Sequence, residues 1–151
     1  LIFTCGWGFC MARFNPFSKA DNRLRPVWQA QTPDHVVGLV WSPDGARIAA
    51  AALSGPVTVF DAHAGKPLHT LPGHGFGTAA LAWQLGGTLL ASVRQDKQVR
   101  VWDTTTGQEV LALDAGASWA EKVVWHPQGQ YLAAAAGKKV RVWTSAGELV
   151  R

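Results

Sequence analysis

The chain has 151 residues, of which 48% are apolar and 16% charged, and its eight tryptophans can supply a buried core. This composition excludes a disordered protein, and no apolar run reaches the roughly 18 residues that a membrane-spanning helix needs. The net charge of +4 is spread along the chain without a Lys/Arg block, which argues against a nucleic-acid partner.

Residues 1–23 read as a leader that we expect to be extended or poorly ordered. Its first ten residues, LIFTCGWGFC, have no positive charge before their apolar part and therefore do not resemble a signal peptide. We interpret Met11 as the natural start and residues 1–10 as lying outside the native chain. In the alternative interpretation, four apolar side chains of this segment pack as a cap on the domain: Ile2, Phe3, Trp7 and Phe9.

An internal repeat runs from residue 35 to the end of the chain. One set of markers recurs at a constant interval: Trp41, Trp83 and Trp125. A second set recurs at the same interval to within one position: Phe60, Trp102 and Trp143. A period of about 42 residues is the signature of a repeat architecture in which each copy is one supersecondary unit.

Each copy contains four short segments with the composition of β-strands. In the middle copy they are TAALAWQ, TLLASV, QVRVWD and EVLALD, separated by the turn sequences LGG, RQDK and TTTG. QVRVWD carries large apolar groups on both faces, and residues 49–52 and 133–136 are all alanine, so neighbouring sheets can stack closely. We therefore predict an all-β fold of four-stranded antiparallel sheets stacked as the blades of a β-propeller.

Five short motifs resemble those of the WD-repeat β-propeller family: WSPDG (41–45), LPGH (71–74), RVWD (100–103), WHPQG (125–129) and RVW (141–143). The resemblance covers residues 24–151. It implies blades at about 35–72, 77–114 and 119–151, with the last one truncated. Closed propellers have four to eight blades, so we expect the N-terminal part of a longer propeller.

The segment LRPVWQA (24–30) lies one repeat before the fourth strand PLHTLP and two repeats before the fourth strand EVLALD. We predict a fourth-type strand there. In the family such a strand typically completes the last blade and closes the ring.

The resemblance also implies a structural hydrogen-bond network in the middle blade, formed by His74, Ser92, Asp96 and Trp102. The other copies depart from this set. The first has Thr32, Ala50, Ser54 and Phe60 at these places, and the third has Gly116, Ala133 and Gly137 with only Trp143 retained. We expect those two blades to be held by packing alone.

The sequence predicts no catalytic residues, no metal site and no cofactor. Cys5 and Cys10 are the only cysteines, and neither they nor the five histidines show the spacing of metal ligands. Ser92, His74 and Asp96 have the residue types of a hydrolase triad, but a triad requires an exposed nucleophile in the right geometry. We therefore predict that the chain is not an enzyme.

The loops before each first strand and between each second and third strand are the candidate partner-binding sites. Their residues include Asp34, His35, Phe76, Arg94, Trp119 and Lys138. Exposed aromatic residues and arginine are typical of interface hot spots. In the alternative, Phe76 and Trp119 wedge between blades.

We predict a cytoplasmic, non-catalytic scaffold that binds other proteins and does not bind a membrane. The alternative is a docking or regulatory propeller of a larger enzyme or signalling protein, whose catalytic domain lies outside this chain. A nucleic-acid surface is a third possibility that requires four cations to cluster: Arg94, Lys97, Lys138 and Lys139. We also expect self-association through open blade faces.

Overall fold

The structure, a computed structural model, describes residues 25–150, which form twelve β-strands. Their bounds are β1 (Val36–Trp41), β2 (Arg47–Ala52), β3 (Val57–Asp61), β4 (Pro67–Leu71), β5 (Ala80–Trp83), β6 (Leu89–Val93), β7 (Gln98–Asp103), β8 (Gln108–Asp114), β9 (Ala120–Trp125), β10 (Tyr131–Ala136), β11 (Lys139–Thr144) and β12 (Leu149–Val150). Residues 25–150 contain no helix, and hence none long and apolar enough to cross a membrane.

The strands pair in chain order into three antiparallel sheets of four strands, β1 to β4, β5 to β8 and β9 to β12. We call these sheets the first, second and third blades. The prediction of an all-β fold with four-stranded blades is confirmed. The first strand of the second blade, β5, packs against both β1 and β9, so the blades stack face to face.

Two apolar layers hold the blades together, because each sheet is apolar on both faces. Val99 and Val101 of β7 lie in the layer between the second and third blades. Trp102, the next residue, lies in the layer between the first and second. All four alanines of residues 49–52 are buried, and side chains of that size let neighbouring backbones approach closely.

A hydrogen bond accompanies each of the two blade contacts. The indole Nε1 of Trp83 donates to the carbonyl of Val40 in the preceding blade, at 3.3 Å. Trp125 makes the same bond to Ala82 at 3.2 Å. Trp41 is the equivalent residue of the first blade, and 59% of it is exposed. In the second and third blades, the tryptophan of the first strand therefore connects its blade to the preceding one.

The prediction of a strand at 24–30 is not fulfilled, since residues 25–30 take part in no sheet. A strand exists only with a partner, and the three sheets already pair their own fourth strands. Instead, Trp28 lies over the first blade. Its ring is 6.2 Å from that of Phe60, and its Nε1 donates to the Ala62 carbonyl at 2.7 Å.

Trp28 nevertheless contacts the first blade in the way that a fourth-strand residue contacts the blade that follows it in the chain. A Cβ added to the turn glycine Gly65 would lie 2.7 Å from the Trp28 ring. The equivalent Gly107 meets His69 of β4 at 2.7 Å in the same way, and Gly147 meets Leu111 of β8 at 3.1 Å. The predicted alignment of this segment with fourth strands thus matches its position, without strand pairing. The predictions for residues 1–23 lie outside the described residues.

We predict that Trp28→Ala lowers the free energy of unfolding by about 2 kcal/mol, since it removes a half-buried ring and one hydrogen bond. Urea denaturation followed by circular dichroism measures the loss. Val27→Ala is the matched control, because Val27 is 85% exposed. Equal stability of the two variants would show that the segment does not stabilise the blade.

Candidate functional site

The predicted site residues share one edge of the stacked sheets, which we call the loop face. Because consecutive strands are antiparallel, this edge carries the segment before β1 and the β2–β3 turn of the first blade, and the matching segments of the other two. These segments are residues 32–35, 53–56, 72–79, 94–97, 115–119 and 137–138.

The structure brings the four predicted network residues together beneath the loop face. His74 Nδ1 lies 2.7 Å from Asp96 Oδ2, and His74 Nε2 lies 2.9 Å from Ser92 Oγ. Trp102 Nε1 donates to the same Ser92 hydroxyl at 2.8 Å. His74, Ser92 and Trp102 are all buried.

Strand register and turn geometry place these side chains. Trp102 pairs with Leu90 across β6 and β7, and Ser92 lies two residues further along β6 on the same face. Asp96 lies in the β6–β7 turn, where its other oxygen accepts the Gln98 N–H at 3.1 Å. The turn closes through Lys97, which has a left-handed backbone with φ of 65°.

The donors and acceptors of this network balance. A carboxylate only accepts, so His74 Nδ1 donates to Asp96, and in the neutral imidazole Nε2 is then an acceptor. Ser92 then donates to Nε2 while it accepts the indole N–H. The Ser92 hydroxyl is fully buried and cannot reach a substrate as a triad nucleophile must. The arrangement is therefore structural: it fixes the β4–β5 loop through His74.

The first and third blades have no counterpart of this polar set. In the first, Phe60 and Ala50 are buried at the places of Trp102 and Ser92. In the third, Trp143 pairs with Leu132 as Trp102 pairs with Leu90, so Ala134 holds the place of Ser92. The prediction of Ala133 is wrong by one residue. From Ser92 to Trp102 the chain advances ten positions, but from Ala134 to Trp143 only nine, because the β10–β11 hairpin is one residue shorter between equivalent paired positions. A count of ten positions back from Trp143 therefore reaches Ala133.

The first candidate loop residues, Asp34 and His35, are engaged with each other. Asp34 Oδ1 accepts from the His35 side chain at 2.9 Å and from its backbone N–H at 2.7 Å. These hydrogen bonds, the side-chain bond first, lower the pKa of Asp34. The His35 ring remains open to solvent, with 89% of its side chain exposed.

Phe76 and Trp119 project from the loop face. Phe76 is 74% exposed and Trp119 is 55% exposed, so neither ring is buried between blades. Trp119 lines a concavity of about 300 Å³ together with Ala117, Ser118, Glu121 and Gly137.

The four cations considered for a nucleic-acid surface do not share one environment. The Arg94 guanidinium packs against the β4–β5 loop, since a Cβ on Gly77 would lie 3.1 Å from its Cζ. Lys138 and Lys139 are exposed and line a cavity in the third blade. Arg94 is therefore occupied with the junction of the first two blades, and its contacts give a nucleic-acid surface no support.

Sequence reasoning missed a buried hydroxyl at the base of the β4–β5 loop. Thr78 is fully buried, and its Oγ1 donates to the Gly55 carbonyl in the β2–β3 turn at 2.7 Å. The two ends of this loop are thus fixed, one by His74 and one by Thr78. The signal available in the sequence was a small hydroxyl residue four positions after the Gly-His pair.

The carboxylates at the opposite edge of the sheets serve turns. Hydrogen bonds within each hairpin turn lower the pKa of Asp44, Asp61 and Asp103, the main donors being the Ser42 hydroxyl, the Ala64 N–H and the Thr105 hydroxyl, respectively. Within residues 25–150 no group of three His, Cys, Asp or Glu side chains could hold a metal ion. Cys5 and Cys10 lie outside the described residues.

We predict that Trp102→Phe lowers the free energy of unfolding by about 1–3 kcal/mol, because it leaves the buried Ser92 without its donor. His74→Ala should cost at least as much, and the double variant should lose less than the sum of the two.

Trp143→Phe is the matched control, since Ala134 offers its indole no acceptor and the change should be milder. Denaturant melts of all four variants test this. Equal losses at Trp102 and Trp143 would show that ring packing alone, and not the polar network, stabilises the second blade.

Comparisons with known proteins agree with this geometry. A family model described as "WD domain, G-beta repeat" matches residues 65–103 and 107–144, and one described as "Anaphase-promoting complex subunit 4 WD40 domain" matches residues 22–76. Among solved structures, "Structure of U3-55K" superposes with a TM-score of 0.76 at 21% identity, over 81% of this chain and 40% of that one.

Two curated relatives support the assignment. The WD repeat-containing protein slp1 of Schizosaccharomyces pombe is 30% identical over 115 residues, which cover 72% of this chain and 23% of that protein. Protein HIR1 of Cryptococcus neoformans is 37% identical over 81 residues, which cover 53% of this chain and 9% of that protein. The chain therefore spans under a quarter of either relative. Because the WD-repeat model covers half of the chain and all three sheets have the four-stranded blade form, the chain belongs to the WD-repeat β-propeller family.

Proposed function

We propose that this chain is a non-catalytic interaction module that presents its loop face to another protein. The observation that carries the proposal is Phe76, a large apolar side chain that is 74% exposed at the tip of a loop with a fixed base. Interfaces draw most of their binding energy from a few anchors of this kind.

The β4–β5 loop is built to hold this ring outward. His74 and Thr78 are buried and hydrogen-bonded on either side of it, while Gly75 and Phe76 remain exposed. Gly77 has φ of 93°, and a side chain there would collide with the Leu53 carbonyl. A preorganised anchor loses little conformational entropy on binding, which raises affinity.

The loop face that carries Phe76 has further residues typical of an interface. In the loops of the third blade, Trp119 adds a second partly exposed aromatic ring and Lys138 adds an exposed cationic side chain. One matching family model is named for a subunit of a multiprotein complex, and this supports a scaffold role. The alternative prediction, a docking or regulatory propeller of a larger enzyme or signalling protein, is retained. The cytoplasmic location stays a prediction.

We predict that Phe76→Ala weakens partner binding by roughly tenfold or more without loss of stability, as expected for an exposed hot spot. Partners purified with the tagged chain are identified by mass spectrometry and then titrated by calorimetry. Leu85→Ala is the control, because Leu85 is 55% exposed at the opposite edge of the sheets. If Phe76→Ala left partner binding unchanged and Leu85→Ala abolished it, the interface would lie on the edge opposite the loop face.

We further propose that copies of this chain associate head to tail through their outer blade faces. On the first blade, Leu39 and Trp41 are exposed. On the third, Val140 is 72% exposed. Val124 stands in the repeat position of Val40 and Ala82, whose backbone carbonyls accept an indole N–H from the following blade. Trp41 of one copy can thus donate to Val124 of another.

We predict that the chain runs larger than a monomer in light scattering and that Val140→Lys shifts it toward the monomer. A lysine there would be desolvated in the contact. Val110→Lys, on the outer strand β8, is the control with another exposed valine. A monodisperse monomer for the unaltered chain would contradict the proposal.

A further inference from the structure

The third blade contains a cavity at the place where the second blade holds its polar network. Gly116 replaces His74, since both lie nine positions before the first-strand tryptophan, and Ala134 replaces Ser92. Gly116 lines a cavity of about 340 Å³ between the β8–β9 loop and the β10–β11 turn, whereas Ala134 is buried in the apolar layer below it. Ligand sites commonly span roughly 300–1,000 Å³.

Small residues and two lysines line this third-blade cavity: Ala115, Gly116, Ala117, Ser118, Ala136, Gly137, Lys138 and Lys139. The concavity beside Trp119 shares Ala117, Ser118 and Gly137 with it. Ser118, Lys138 and Lys139 therefore line a cavity that adjoins the concavity beside Trp119 on the loop face.

A third cation lies beside the cavity and lacks the partners of its counterpart. In the second blade Arg100 binds Glu109 at 2.7 Å and lies 3.8 Å from the Asp96 carboxylate. In the third blade Leu149 stands in the register position of Glu109, and Asp96 has no counterpart. Arg141 instead turns toward Gly116, whose missing Cβ would lie 2.8 Å from its Nη2, and donates to the Asp114 carbonyl.

The local charge is complementary to an acidic group. Three cationic residues, Lys138, Lys139 and Arg141, and two carboxylates, Asp114 and Glu121, belong to this region of the third blade. Asp114 is 3.5 Å from Arg141, and its side chain is largely exposed. Glu121 lines only the concavity beside Trp119 and not the cavity itself. The residues that line the cavity thus include two lysines and no carboxylate.

We propose that the third-blade cavity binds an aspartate or glutamate side chain of a partner protein, with Trp119 packing against the adjoining residue. The partner's carboxylate would take the place that the Asp96 carboxylate holds in the second blade. This inference rests on the proposed interaction function and names the partner chemistry that the loop face selects.

The direct test uses a short fluorescein-labelled peptide with one central glutamate, and the same peptide with glutamine. Fluorescence anisotropy should show saturable binding of the glutamate peptide, with the glutamine peptide bound about tenfold more weakly because it lacks the charge. Equal binding of the two peptides, or no saturable binding up to about 1 mM peptide, would overturn the proposal.

Variants of the cavity wall test its location. Lys138→Glu combined with Lys139→Glu should weaken the glutamate peptide by about tenfold or more. Ala117→Leu should do the same by filling the space. Lys97→Glu is the matched control, since Lys97 is exposed in the equivalent turn of the second blade, and it should leave binding unchanged. Folding of each variant is checked by circular dichroism, and equal effects at both turns would mean nonspecific attraction.

The two proposals fail in different ways. A partner whose binding is lost in Phe76→Ala but unaffected by the lysine and Ala117→Leu variants would retain the interaction function and refute the carboxylate site. If binding of the glutamate peptide required the lysines and no partner lost affinity in Phe76→Ala, the carboxylate site would be retained and the proposed role of Phe76 refuted.

Discussion

Every sheet in this chain is apolar on both faces, and the rest of the structure depends on that constraint. A blade of this kind cannot be stable alone, because one uncovered face leaves valine, leucine and tryptophan side chains in water. The two apolar layers, the indole–carbonyl bonds between blades and the placement of Trp28 over Phe60 all cover such faces. The same constraint leaves apolar side chains exposed on the outer faces of the first and third blades, namely Leu39, Trp41, Val124 and Val140.

Burial of the apolar faces determines how the blades stack, and buried polar groups then fix the conformation of the loops. In the second blade His74 and Thr78 are buried at the two ends of one loop, and the ring of Phe76 is held outward as a result. Here a buried hydrogen-bond network also positions an exposed aromatic ring, through the rigidity that it gives to the loop.

The third blade shows what the same framework does without that network. Its apolar layer is complete, since Leu132, Ala134 and Trp143 remain buried, but Gly116 and the shortened turn leave space beneath the loop face. Arginine at the shared position of β7 and β11 serves an internal ion pair in one blade and borders an open cavity in the other. Repetition of the fold therefore does not repeat the surface chemistry.

The sequence by itself determined the repeat, the four strands of each copy and the stacking of their sheets, because hydrophobic periodicity and the constant interval between marker tryptophans are local properties of the chain. The membership of the polar network followed from the resemblance of the middle copy to the WD-repeat family. Only the tertiary structure decided the rest. Residues 25–30 lie over the first blade without pairing, because strand formation requires an edge that a sequence pattern cannot supply. Ala134, not Ala133, stands at the place of Ser92, because a one-residue turn deletion changes register counts but leaves the pairing of side chains across strands. The direction of Arg94 and the cavity beside Lys138 arise from contacts between residues far apart in the chain, which no local pattern encodes.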